Sequence, residues 1–133
     1  MITIPADRKY SDLHLWFRPG GDPDEGFVGV TDVLQTRVGD IIAADLPRAE
    51  MEFPLHEVMV VLEGLCETFE LSAFCNMKVL EVNPRLEIHP DLINRSPYGD
   101  GWILKVRLTG VPRWLDAPQY ADFLQKGLIV EGA

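Results

Sequence analysis

Apolar positions come in runs of five to eleven residues, and Gly, Pro, Asn and Asp separate most of them. Such runs between turn residues predict strands, and a succession of them predicts a sandwich or flattened barrel. Leu13 to Arg18 is the first run, ended by Pro19-Gly20-Gly21-Asp22-Pro23, and Gly26 to Val30 is the second. Ile41 to Asp45 follows, stopped by Leu46-Pro47. Leu55 to Leu65 and Phe69 to Ala73 read as the arms of a hairpin turning near Cys66-Glu67. Met77 to Val82 ends at Asn83-Pro84, and Trp102 to Leu108 alternates Trp102, Leu104 and Val106 against Ile103, Lys105 and Arg107.

Helical signals are fewer. Thr31 or Asp32 can cap a short helix over Val33 to Val38, closed by Gly39, and Pro90 to Ile93 reads as a helical turn. The clearest helix is last: Asp116 fits the N-cap, Pro118 the first turn and Gln119 the capping-box partner. Tyr120, Phe123 and Leu124 then share one face, with Gly127 as the expected stop. The chain is therefore expected to be mainly β, two antiparallel sheets with short helices and a C-terminal helix, in one domain spanning residues 1–133.

Composition changes this picture little. A 47% hydrophobic and 25% charged share suits a globular protein. The net charge of −9 argues against nucleic-acid phosphates as a partner and is compatible with a basic protein. No secretory signal or run of about 18 apolar residues is visible, so no membrane partner is expected. Two cysteines cannot form a disulfide framework, which makes the cytoplasm the expected compartment.

Several motifs, taken in order, resemble the glycine cleavage system H protein family. They are Tyr10 with His14-Leu15-Trp16, then Gly29-Val30-Thr31-Asp32 with Gln35, and Val38-Gly39-Asp40-Ile41 with Asp45-Leu46-Pro47. Glu81-Val82-Asn83, Leu86, Pro90 to Asn94 and Pro97-Tyr98-Gly99-Asp100-Gly101-Trp102 to Lys105 follow, with Asp116, Ala117, Tyr120 and Leu124 at the end. The resemblance covers about Tyr10 to Leu124. It implies a lipoyl-domain-like barrel-sandwich hybrid that is a carrier and not an enzyme. In that role a lipoyl arm on a hairpin lysine moves an aminomethyl group and electrons between the enzymes of a complex.

One departure changes the expected chemistry. The family's hairpin carries a Glu-Ser-Val-Lys-Ala run with lipoate on the lysine, and the equivalent run here is Glu63-Gly64-Leu65-Cys66-Glu67. Counting without gaps from Pro47 forward and from Val82 back puts Cys66 at the lysine position, and Glu70 at a family Asp. Lipoyl attachment is an amide and needs an amine. Lys9, Lys78, Lys105 and Lys126 are the lysines, and none is expected at the tip. The expectation is a carrier-like docking protein with no lipoate at this position. Its partners would be glycine-cleavage-like or lipoate-processing enzymes. The alternative is a thiol carrier using Cys66 to move sulfur or an acyl group, although Glu63, Glu67 and Glu70 nearby should disfavour the thiolate. A third possibility is a shifted register with modification elsewhere, for example at Lys78.

Other chemistry is weakly signalled. Cys75 should fall opposite about Val58, roughly 25 Å from Cys66 at ~3.3 Å per residue, too far for a disulfide. His14, His56 and His89 lack the paired spacing of a metal site, so no metal is expected. Ser11, Ser72 and Ser96 have no nucleophile context, and Gly99-Asp100-Gly101 precedes a strand and reads as a turn. Leu65 and Phe69 flank the tip and, if exposed, would form an apolar patch suited to a partner.

Overall fold

A computed structural model describes the backbone of residues 2–132 and the side chains of residues 2–126. The strands are β1 (Lys9–Tyr10), β2 (Leu15–Pro19), β3 (Glu25–Val30), β4 (Ile41–Asp45), β5 (Glu52–Phe53), β6 (Val58–Gly64), β7 (Thr68–Ser72), β8 (Met77–Val82) and β9 (Leu104–Leu108). The helices are α1 (Asp32–Val38), α2 (Leu92–Arg95) and α3 (Ala117–Gly132), with a 3-10 turn at Pro84–Glu87. Two antiparallel sheets result, one in the order β1-β2-β3-β9-β8-β5 and one in the order β4-β6-β7.

Their inner faces close on one core. Phe17, Val28, Val30, Leu104 and Val106 come from the long sheet, Val60, Leu62 and Leu71 from the short one, and Leu34 and Val38 from α1. A second cluster, Tyr10, Trp16 and Tyr120, seats α3, with the rings of Tyr10 and Tyr120 stacked at 4.8 Å. Burying such side chains stabilises each by about 1.5–3 kcal/mol. The expected mainly β sandwich with a C-terminal helix is what is found.

Differences lie at the ends of elements. β1 and β5 have two residues each and leave no periodic trace. The helical turn expected at Pro90 to Ile93 sits later, at Leu92–Arg95. α3 does not stop at Gly127: no proline follows, and one interior glycine costs a helix only about 1 kcal/mol. The capping box at its start forms in full, Gln119 N–H donating to Asp116 Oδ1 at 2.8 Å and Asp116 N–H to Gln119 Oε1 at 2.9 Å. Thr31 is the N-cap of α1, but its side chain makes no cap bond. It lies 2.8 Å from the Tyr120 hydroxyl instead, tying α1 to α3.

Candidate functional site

The β6–β7 hairpin pairs Glu63 with Thr68, Leu62 with Phe69 and Val61 with Glu70. Gly64 N–H donates to the Glu67 carbonyl at 3.0 Å, so the turn is Leu65-Cys66, one residue earlier than expected. Tight two-residue hairpins that match strand twist need positive φ in the turn, and neither residue has it. The turn is held from outside instead. The Val38 carbonyl, left free at the end of α1, accepts from Cys66 N–H at 3.0 Å and Glu67 N–H at 3.4 Å, and the Asp40 carbonyl accepts from Leu65 N–H at 2.9 Å.

The seat below the tip is Gly39. Its φ of +81° suits glycine, and a Cβ there would lie 2.7 Å from Cys66 Sγ. Asn94 of α2 fixes the same corner: its amide donates to the Gly39 carbonyl at 2.8 Å and to Gln35 Oε1 at 3.1 Å, while its oxygen accepts from Ile41 N–H at 2.8 Å. The tip is therefore a braced corner of three elements. Gly39 carried a sequence signal for it, as the expected helix stop; the backbone bonds and the role of Asn94 did not.

Cys66 is exposed and free, and Cys75 is buried and free. Cys75 lies three residues past β7, in neither hairpin arm; Val58 pairs with Ser72. Burial raises its thiol pKa, a backbone hydrogen bond at Gly110 opposing. Of the three carboxylates expected to crowd Cys66, Glu67 is an ion pair with Arg37, Oε1 to Nε 2.6 Å, without an aligned hydrogen bond at that oxygen. Glu70 is set back along the strand opposite Val61, and Glu63 lies opposite Thr68. Leu65 is 68% exposed, as the apolar patch requires, but Phe69 is half-buried against the core and contributes little to such a patch. The strand pattern explains this: Phe69 faces inward beside Leu62, on the same side as Leu71.

The lysines lie elsewhere. Lys9 is in β1, Lys78 in β8 paired with Glu50 at 2.8 Å, Lys105 in β9 paired with Glu81 at 3.8 Å, and Lys126 in α3 paired with Asp122 at 3.0 Å. His14 Nδ1 lies 2.8 Å from the Tyr120 hydroxyl, and His56 and His89 are exposed on separate turns. Desolvation lowers the His14 pKa, Arg37 adding to this and Asp12 opposing it. Among the described residues no helix is long and apolar enough to cross a membrane.

Two facing antiparallel sheets, an exposed hairpin tip braced on a short helix, and a capped C-terminal helix define a carrier-type β-sandwich. Residues 8–127 match the family model described as Glycine cleavage H-protein. The chain is 39% identical to a glycine cleavage system H protein of Symbiobacterium thermophilum over 130 residues, 96% of this chain and 100% of that one. It is 36% identical to one from Nitratidesulfovibrio vulgaris over 92% of this chain and 96% of that one. The crystal structure of a glycine cleavage system H protein from Mycobacterium marinum superposes with a TM-score of 0.83 at 33% identity, covering 94% of this chain and 100% of that one. The chain belongs to the glycine cleavage H-protein family, whose members are carriers and not enzymes.

Proposed function

We propose that the whole chain acts as one H-protein-like carrier domain that docks on enzymes of the glycine-cleavage or lipoate-processing type and holds no lipoyl arm at its hairpin tip. The observation that carries this reading is Cys66 in the two-residue turn, at the position counted as the family's lysine, with every lysine in another element. A thiol cannot form the lipoyl amide. The position of Lys78 inside β8, opposite Glu52 and Arg107, speaks against a shifted register with modification there. A reducing cytoplasm suits two free thiols.

Intact mass after co-expression with a lipoate ligase tests the first half. The unmodified polypeptide mass is expected for the native chain, and a lipoyl-sized increment on any lysine would overturn the reading. Binding to the glycine-cleavage enzymes of the source organism tests the second half.

One observation favours a second reading, a thiol carrier: Cys66 is exposed and the adjacent Glu67 is held by Arg37. An adduct on Cys66 in protein from its native cell, released by reductant, would support it; a bare mass supports docking alone.

A further inference from the structure

Four segments of the chain meet at the end of the sandwich remote from the hairpin tip. They are the loop after β1, the turn before β6, the residues after β7 and the segment after β9, and together they line a cleft of about 600 Å³. The length of β6, about 20 Å at ~3.3 Å per residue, separates it from Cys66. The cleft is therefore distinct from the tip and plays no part in its bracing.

Its floor is aromatic and already packed. The Trp114 ring stacks on Phe17 at 5.3 Å and meets Phe74 at 4.8 Å, and Trp114 and Phe74 are both only partly buried. Leu13, Leu55 and Val111 form the rim, exposed by 43%, 48% and 94%. Preformed apolar walls with a few placed polar groups are the usual make-up of a small-molecule site, and the volume is of the usual size.

The polar groups point to the ligand's chemistry. Ser11 is 2% exposed. Its Oγ accepts from Leu13 N–H at 3.2 Å and Leu15 N–H at 3.3 Å, but its own proton meets no acceptor among the described residues. Buried donors are nearly always partnered, so a donor left over on a cleft wall calls for an acceptor in the cleft. Arg113 lines the same cleft and has no ion-pair partner among the described residues, Asp12 included. His56 stands at the rim with φ +75°, its backbone N–H held by the Ala73 carbonyl at 2.8 Å, and offers a ring N–H in either protonation state. Asp12, exposed on the rim, repels a second negative charge.

We propose that this cleft binds a small monocarboxylate with an apolar, ring-bearing body. Arg113 and Ser11 take the carboxylate, a charge-assisted pair of donors, while the body lies on Trp114 and Phe74 and covers the exposed rim. The site goes beyond the docking reading and does not depend on it.

The probe is 3-phenylpropionate, titrated into the 15N-labelled full chain. Saturable shifts are expected at residues 11–13, 55–56, 73–74 and 113–115 and at the Trp114 indole, with a Kd of about 1 mM, usual for so small a probe. The neutral amide of the same acid should bind roughly tenfold more weakly, and so should the acid to Arg113→Gln, since each loses a charge-assisted bond. Ser11→Ala should weaken binding a few-fold, and Arg48→Gln, a surface arginine outside the cleft, should leave it unchanged. Arg113 is exposed, so its variant is expected to fold, and an unaltered spectrum away from the cleft checks this. Equal affinity for the amide, an unchanged Kd in Arg113→Gln, shifts mapping elsewhere, or no saturable shift up to about 10 mM would each overturn the proposal.

Discussion

Gly39 is the residue on which the tip geometry turns. A Gly39→Ala change meets both a left-handed backbone and Cys66 Sγ. The expected loss is about 1–3 kcal/mol, read as a lower urea midpoint. Adding Cys66→Ala should recover part of it, the share due to crowding at sulfur; no recovery would mean that the backbone alone sets the cost. Asn94→Ala should cost a similar 1–3 kcal/mol, since the Gly39 carbonyl and Ile41 N–H lose their partner. His14 also has positive φ, at 66°, which asparagine tolerates.

At the level of elements, legibility followed the length and punctuation of each segment. β4 and β8 were readable to the residue because Asp45-Leu46-Pro47 and Asn83-Pro84 end them sharply. β1 and β5 are held by pairing with longer neighbours, which no local pattern reports. The hairpin was readable to within one residue, and the position of Cys66 with it. Its bracing was not, because carbonyls of Val38 and Asp40 do that work and any residue type supplies a carbonyl. Whether Phe69 is exposed was left open, because a tip position says little about which face a strand residue takes, and its side chain packs against the core. For α3, Tyr120→Phe removes the hydroxyl shared by Thr31 and His14. A loss of about 1–3 kcal/mol is expected, with amide exchange rising first in α3; a uniform rise across both sheets would argue against local release.

For the whole molecule, stability should be flat near neutrality and fall on both sides. His14 has a folded pKa below its ordinary 6.5, so its contribution is complete above about 6.5 and is lost as pH falls through the lower folded value. Burial raises Tyr10, Tyr98 and Tyr120 above their ordinary 10.0, so their contribution is complete below 10 and is lost as pH rises through the higher folded values. Urea titrations across pH should show both limbs, and His14→Asn should flatten the start of the acid limb; an unchanged limb would assign it to other groups. The bracing of the hairpin also limits how far it can deliver anything. A group held on Cys66 would travel only the length of one short side chain, because the turn beneath it is fastened to the end of α1, a corner that Asn94 of α2 holds in turn. Serving two active sites in succession would then require the entire protein to leave one enzyme and land on the next. The pace of any relay would be set by how quickly complexes come apart.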